Sequence, residues 1–265
     1  MVDLTYNEVD RIITKIRQMF VAYYVLPDKG VEISDALQNH FLKEKFSNLT
    51  HLELCTKVTD LIQSISGDKH LELQYEPNQY SKIVEQSQIS RSSRNNQAIY
   101  FHYNCNFERI ERLAGNIGYL KINGFVSYDL GKSTMDASLL FLQHTDALIL
   151  DLRDNQGGRP ELAHYFISHL MNKSGVQLTS LYDAETDTLN EYFTTSDLIT
   201  SKLREVPVFV LTSSNTFSAG EDLAYTLKAL DRATLIGERT GGGARAGGIK
   251  LLQDGFFIWI STKRA

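Results

Sequence analysis

The stretch Val208-Phe-Val-Leu-Thr-Ser-Ser-Asn-Thr-Phe-Ser-Ala-Gly-Glu-Asp-Leu-Ala-Tyr-Thr-Leu-Lys-Ala-Leu230 decides the fold. Its first four residues read as a short buried strand. Pro207 stands just before them, where a missing amide donor is tolerated. From Glu221 onward the period changes. Leu223, Ala224, Leu227 and Leu230 recur at helical spacing. Ser218 therefore lies at a strand-to-helix junction. There its hydroxyl is near the unpaired amides of a helix N-terminus, where developing negative charge is favoured. The same residues also spell a capping box, Ser218-Ala-Gly-Glu221. Taken alone, this motif favours a helix cap over a nucleophile.

Outward from this stretch, strands and helices alternate. Ile117–Ile122 reads as a strand. Ala147–Leu152 is nearly continuous in apolar residues, as expected for a strand covered on both faces. Leu162–Met171 reads as a helix, and Thr234–Ile236 and Phe256–Ile260 as further strands. The expected fold class is α/β with largely parallel crossovers. Residues 6–66 differ. Val9, Ile12, Ile13, Ile16 and Phe20 form one helical stripe, a second helix is expected over Ile33–Phe46, and a third over Leu52–Ile65. Asp28-Lys-Gly30 and Ser47-Asn-Leu-Thr50 are expected turns, with Thr50 and Glu53 boxing the third helix. This pattern divides the chain into an N-terminal helical bundle, 1–66, and an α/β core, 67–265. Leu71–Tyr75 alternates like a strand, residues 76–98 read as a polar loop, and Phe101-His-Tyr103 as a strand.

With 265 residues, 42% hydrophobic and 22% charged, the chain has the composition of an ordinary globular protein with a sizeable core. A net charge of -5 without a basic block argues against nucleic acid as partner. No apolar run reaches membrane-spanning length, and the first residues lack the pattern of a signal peptide. Cys55 and Cys105 fit no metal or redox spacing and read as buried free thiols, with a single disulfide left open. No histidine pair has zinc-hydrolase spacing, and no metal is expected.

Asp151-Leu-Arg-Asp-Asn-Gln-Gly-Gly158 closes the apolar strand and leads into a helix. In a parallel sheet this turn and Ser218 face the same edge, where ligands bind. The amide of Gly157 or Gly158, with that of Ala219, could then form a two-donor oxyanion hole, although Gly-Gly alone reads better as a tight strand-to-helix turn. A serine nucleophile needs a base. Lys228 is ten residues along the helix, roughly 15 Å away, and out of reach. Glu221 reads as a cap, His164 and His169 as helix residues, and His102 as a strand residue. His70 follows Gly67-Asp68 at a break between helix and strand, where a side chain can be aimed into a cleft.

Four segments, in order, carry a resemblance. They are Asn116–Ile122, Leu150–Gly158, Thr212–Glu221 and Arg232–Gly243. Together they resemble the tail-specific, C-terminal processing family of serine peptidases (S41). That family includes the tricorn core and the interphotoreceptor retinoid-binding protein repeats. The resemblance implies a ClpP/crotonase-like core, a peptide or protein substrate, no cofactor, and a periplasmic or extracellular setting. It makes Ser218 the nucleophile, with Gly157, Gly158 and Ala219 supplying the oxyanion hole. The Ser–Lys branch places its lysine near what is here Gly243, and usually carries a PDZ domain for which His70–Asn116 leaves no room. The tricorn-like branch remains, and it implies His70 as base. Tricorn has a serine directly before that histidine; here it is Lys69. That branch also uses a glutamate beyond the last core strands, so the group orienting His70 is expected past Ala265, in a core truncated here. Two rival readings follow from the same resemblance. One is a non-catalytic binder of a hydrophobic small molecule such as a retinoid or fatty acid. The other, an acyl-CoA enzyme of crotonase type, is opposed by the Asn215-Thr216 lead-in to the serine.

Overall fold

The computed structural model describes residues 3–44, 49–88 and 94–265. The chain forms two compact units that do not follow its order. The first combines residues 1–92, 181–190 and 245–265; the second combines 93–180 and 191–244. In chain order the helices and strands are α1 (Tyr6–Tyr23), α2 (Pro27–Glu44), α3 (His51–Ser66), β1 (Glu72–Tyr75), α4 (Pro77–Gln88), α5 (Arg94–His102), β2 (Phe107–Leu113), β3 (Ile117–Ile122) and α6 (Tyr128–Leu142). They continue with β4 (Ala147–Asp151), α7 (Pro160–Leu170), β5 (Gln177–Asp183), β6 (Thr188–Phe193), β7 (Val208–Thr212), α8 (Ala219–Ala229), β8 (Thr234–Gly237), β9 (Arg245–Leu251) and β10 (Phe256–Arg264).

In the first unit, local signals set the helix ends. The Thr5 hydroxyl accepts the Glu8 amide at 3.4 Å while the Glu8 carboxylate accepts the Thr5 amide at 2.7 Å. Thr50 and Glu53 repeat this box at the start of α3. The α1 stripe Val9, Ile12, Ile13, Ile16 and Phe20 is buried as its spacing requires. Each such side chain contributes about 1.5–3 kcal/mol on leaving water. These residues share a core with Leu54, Val58 and Ile62 of α3, Leu73 of β1, and Phe256, Ile258 and Ile260 of β10. β10 pairs antiparallel with β1 (Leu73↔Ile258), with β9, and at its end with β5 (Lys263↔Asp183).

Several expectations are corrected here. The turn expected at Asp28-Lys-Gly30 lies inside α2. A Cβ on Gly30 would come 2.5 Å from the Phe20 carbonyl, so the glycine marks close approach of α2 to α1 rather than a turn. The end of the second expected helix, at Phe46, and most of the Ser47–Thr50 turn lie outside the described residues. The polar loop expected over 76–98 holds α4 and the start of α5, with 89–93 outside the described residues. Phe101-His-Tyr103, expected as a strand, is the end of α5 and its exit. Pro77 opens α4, where its missing N–H costs nothing, and glutamine-rich sequence has good helix propensity.

The second unit carries the sheet expected from the 208–230 stretch. Its order is β2-β3-β4-β7-β8, parallel from β3 to β8 with β2 antiparallel at one edge. Leu148, Leu150, Val208 and Val210 are buried with Leu139 of α6, Phe166 of α7 and Leu223 of α8. In register, Asp151 lies opposite Leu211. The 152–158 turn and the 213–218 turn thus leave the same sheet edge from neighbouring strands. Cys55 and Cys105 are buried free thiols.

Candidate active site

Ser218 occupies the first position before α8 with φ 52° and ψ -122°. Positive φ is strained for a residue with a Cβ and calls for a compensating surround. Its side chain makes no cap hydrogen bond, so the capping box is not formed. Glu221 instead accepts the Thr240 hydroxyl at 3.0 Å. The Ser218 amide donates to the Gly242 carbonyl at 3.2 Å, and Gly241 donates to the Thr216 carbonyl at 2.8 Å, so the 240–243 glycine run holds the turn from outside.

From inside, the 152–158 turn braces it. Gly157, at φ 94°, lies directly against the serine: a Cβ there would sit 2.6 Å from the Ser218 Cβ and 2.8 Å from the Phe217 carbonyl. Asn155 is fully buried and joins both turns. Its carboxamide donates to the Ile122 carbonyl and accepts the Gly157 amide, each at 2.9 Å, while its carbonyl accepts the Phe217 amide at 2.9 Å. Thr216, also fully buried, donates to the Leu152 carbonyl at 2.8 Å and accepts the Ser213 amide at 3.0 Å. Sequence reasoning missed both residues. Their signal, polar side chains between two glycine-bearing turns, is legible only once the strands are paired. The Gly157 amide is engaged by Asn155, whereas among the described residues the amides of Gly158 and Ala219 form no hydrogen bond. A groove of about 290 Å³ opens beside the turn, lined by Glu221, Tyr225, Lys228, Glu238, Arg239 and Thr240 among others.

His70 belongs to the first unit. α3 ends at Gly67 in the left-handed conformation, and the chain then turns through Asp68-Lys-His70. Asp68 is buried. Its Oδ1 accepts both the His70 amide at 3.1 Å and the His70 Nδ1–H at 3.0 Å. Its Oδ2 faces the Tyr24 hydroxyl at 3.4 Å and Arg245 Nη1 at 3.5 Å. Burial opposes ionisation of Asp68, but the hydrogen bonds from the ring and amide of His70 outweigh it and hold the carboxyl below its ordinary range. Nδ1 of His70 thus has a carboxylate partner two residues upstream.

The other histidines have structural partners. His164 Nε2 meets Asp222 at 3.0 Å across α7 and α8. His169 is fully buried; Nδ1 donates to the Tyr165 carbonyl at 2.9 Å and Nε2 accepts the Ile199 amide at 3.2 Å. Burial pushes its imidazole below the usual range, consistent with a neutral ring. His102 is exposed at the end of α5.

Residues 116–265 match the model of peptidase family S41. The chain belongs to this family. Residues 4–101 match the model of the N-terminal domain of peptidase S41 in eukaryotic IRBP. A carboxyl-terminal-processing protease of Picosynechococcus sp. is 29% identical over 159 residues, covering 58% of this chain and 36% of the relative. The chain thus spans about a third of the length of the curated relatives it matches. Among solved structures, the photosystem II D1 C-terminal processing protease superposes with a TM-score of 0.55 at 16% identity, covering 97% of this chain and 88% of that one. The tricorn protease gives 0.58 at 15% identity, covering 96% and 32%. At these identities the structural likeness establishes the S41 protease fold. Among the described residues, no helix is long and apolar enough to cross a membrane.

Proposed function

We propose that the chain is a serine endopeptidase in which Ser218 is the nucleophile and His70 the general base. Ser218 Oγ forms a bond to the peptide carbonyl carbon while its proton passes to His70 Nε2. The tetrahedral intermediate then expels the amine, which takes that proton as the C–N bond breaks, and water releases the acyl group by the reverse route. The amides of Gly158 and Ala219 hold the oxyanion. The conformation of Ser218 carries this reading. A positive φ, glycine packed against its Cβ, and no cap bond are costs without return at a helix end, but they present a hydroxyl. Family membership supports a serine peptidase, and the break at His70 supports the base.

A fluorophosphonate probe tests it. The 265-residue chain is expected to label, and Ser218→Ala to abolish labelling completely. Labelling that persists in Ser218→Ala sinks the assignment. The N-terminal match to the IRBP-type domain favours one second reading, a binder of hydrophobic small molecules. Saturable retinoid or fatty-acid binding in a chain that neither labels nor cleaves peptides would select it.

A further inference from the structure

A histidine base works only in the right tautomer: the nitrogen facing the nucleophile must be bare, so the other must carry the hydrogen. The surroundings of His70 decide this within the first unit. One carboxylate oxygen, Asp68 Oδ1, accepts from both the backbone amide and Nδ1 of His70, at 3.1 and 3.0 Å. Ring and main chain are therefore fixed to the same atom. A carboxylate can only accept, so hydrogen sits on Nδ1 and Nε2 is left as the acceptor.

Two further groups face the other oxygen of Asp68. Tyr24 donates its hydroxyl to Oδ2 at 3.4 Å, and Arg245 places a guanidinium nitrogen 3.5 Å from the same oxygen. The Asp68 amide is itself taken up by the Ser66 hydroxyl at 3.0 Å, and Arg245 donates to the Ser66 carbonyl at 3.4 Å. A buried carboxylate without such partners would be strongly disfavoured. Here Tyr24, just past the end of α1, and Arg245, at the start of β9, converge on one side chain from distant parts of the sequence.

We propose that Asp68 is the positioning residue of the catalytic base. It sets the Nδ1–H tautomer and the ring plane of His70, while Tyr24 and Arg245 hold Asp68 in place. A group from outside the described residues would have to displace Asp68 to reach Nδ1. The proposal rests on the reading of His70 as base, and the test separates the two.

The test uses the 265-residue chain and two readouts, ¹⁵N NMR of His70 and the rate of fluorophosphonate labelling. The folded wild type is expected to show His70 protonated at Nδ1. Asp68→Asn, close in shape, is expected to move the hydrogen toward Nε2 and slow labelling about 100-fold or more. Tyr24→Phe and Arg245→Gln are expected to slow it by smaller factors. A wild-type spectrum dominated by Nε2–H overturns the proposal with no variant needed. So does wild-type labelling by Asp68→Asn when His70→Ala is inactive. Wild-type labelling by His70→Ala instead overturns the reading of His70 as base.

Discussion

The Ser218 turn and the His70 turn are built by opposite means. Around Ser218 the main chain does the positioning: a positive φ, glycine against the Cβ, and backbone hydrogen bonds exchanged in both directions with the 240–243 run. Around His70 side chains do it: an aspartate, a tyrosine and an arginine converge on one carboxylate-imidazole pair. The difference follows from the tasks. A nucleophile must be exposed at a fixed place, which backbone geometry secures without covering it. A base must be held in one tautomer and one ring plane, and here a side-chain acceptor does that.

Three substitutions on the serine side probe this contrast. Gly157→Ala is expected to be most severe, because the new methyl would lie 2.6 Å from the Ser218 Cβ at a φ that L-residues avoid. We expect a loss of about 3 kcal/mol in denaturant unfolding and labelling reduced at least 100-fold. An unchanged labelling rate would mean the turn is not fixed by its main chain. Asn155→Ala comes next. It strands the buried Gly157 amide and Ile122 carbonyl, at a cost of about 2 kcal/mol, with a smaller fall in labelling. A fall equal to that of Gly157→Ala would make Asn155, a side chain, the dominant brace.

The third concerns a charged pair at the same sheet edge. Asp151 accepts two guanidinium bonds from Arg153, at 3.0 and 2.7 Å, and the Tyr119 hydroxyl at 2.6 Å. Burial works against its charge, but these donors hold the carboxyl down at about 2. Its folded value is below the unfolded one of about 3.9, so its contribution is present above pH 4 and lost as pH falls toward 2. Arg153 is half in solvent, so the contribution is about 1 kcal/mol. Asp151→Asn is expected to flatten the stability change between pH 5 and 2 and leave labelling near wild type. A large labelling loss would show that side-chain electrostatics matter at the serine too.

Much of this was legible in the chain. The α1 stripe, the Thr50–Glu53 capping box, β3, β4, β7, α7 and α8 rest on local period and end signals, and the sheet edge carrying Gly157 and Ser218 followed from strand polarity, whereas the Thr5–Glu8 box was passed over. α6 was missed although Met135, Leu139 and Leu142 are buried at helical spacing. The β5–β6 hairpin was passed over: its strands are largely half-exposed or exposed and lack a clean alternation. α4 and α5 were read as loop because polarity was weighed above helix propensity.

The order of motifs in the sequence determined the family, the serine turn and the histidine at the helix break, since each depends on residues within a few positions of one another. Only the tertiary structure decided that Ser218 does not cap its helix, that Gly157 has its amide engaged by Asn155, and that Asp68 holds His70. Those outcomes depend on Asn155, Tyr24 and Arg245, which folding brings from distant parts of the chain. A hydrogen bond between residues far apart in sequence leaves no period and no spacing to read.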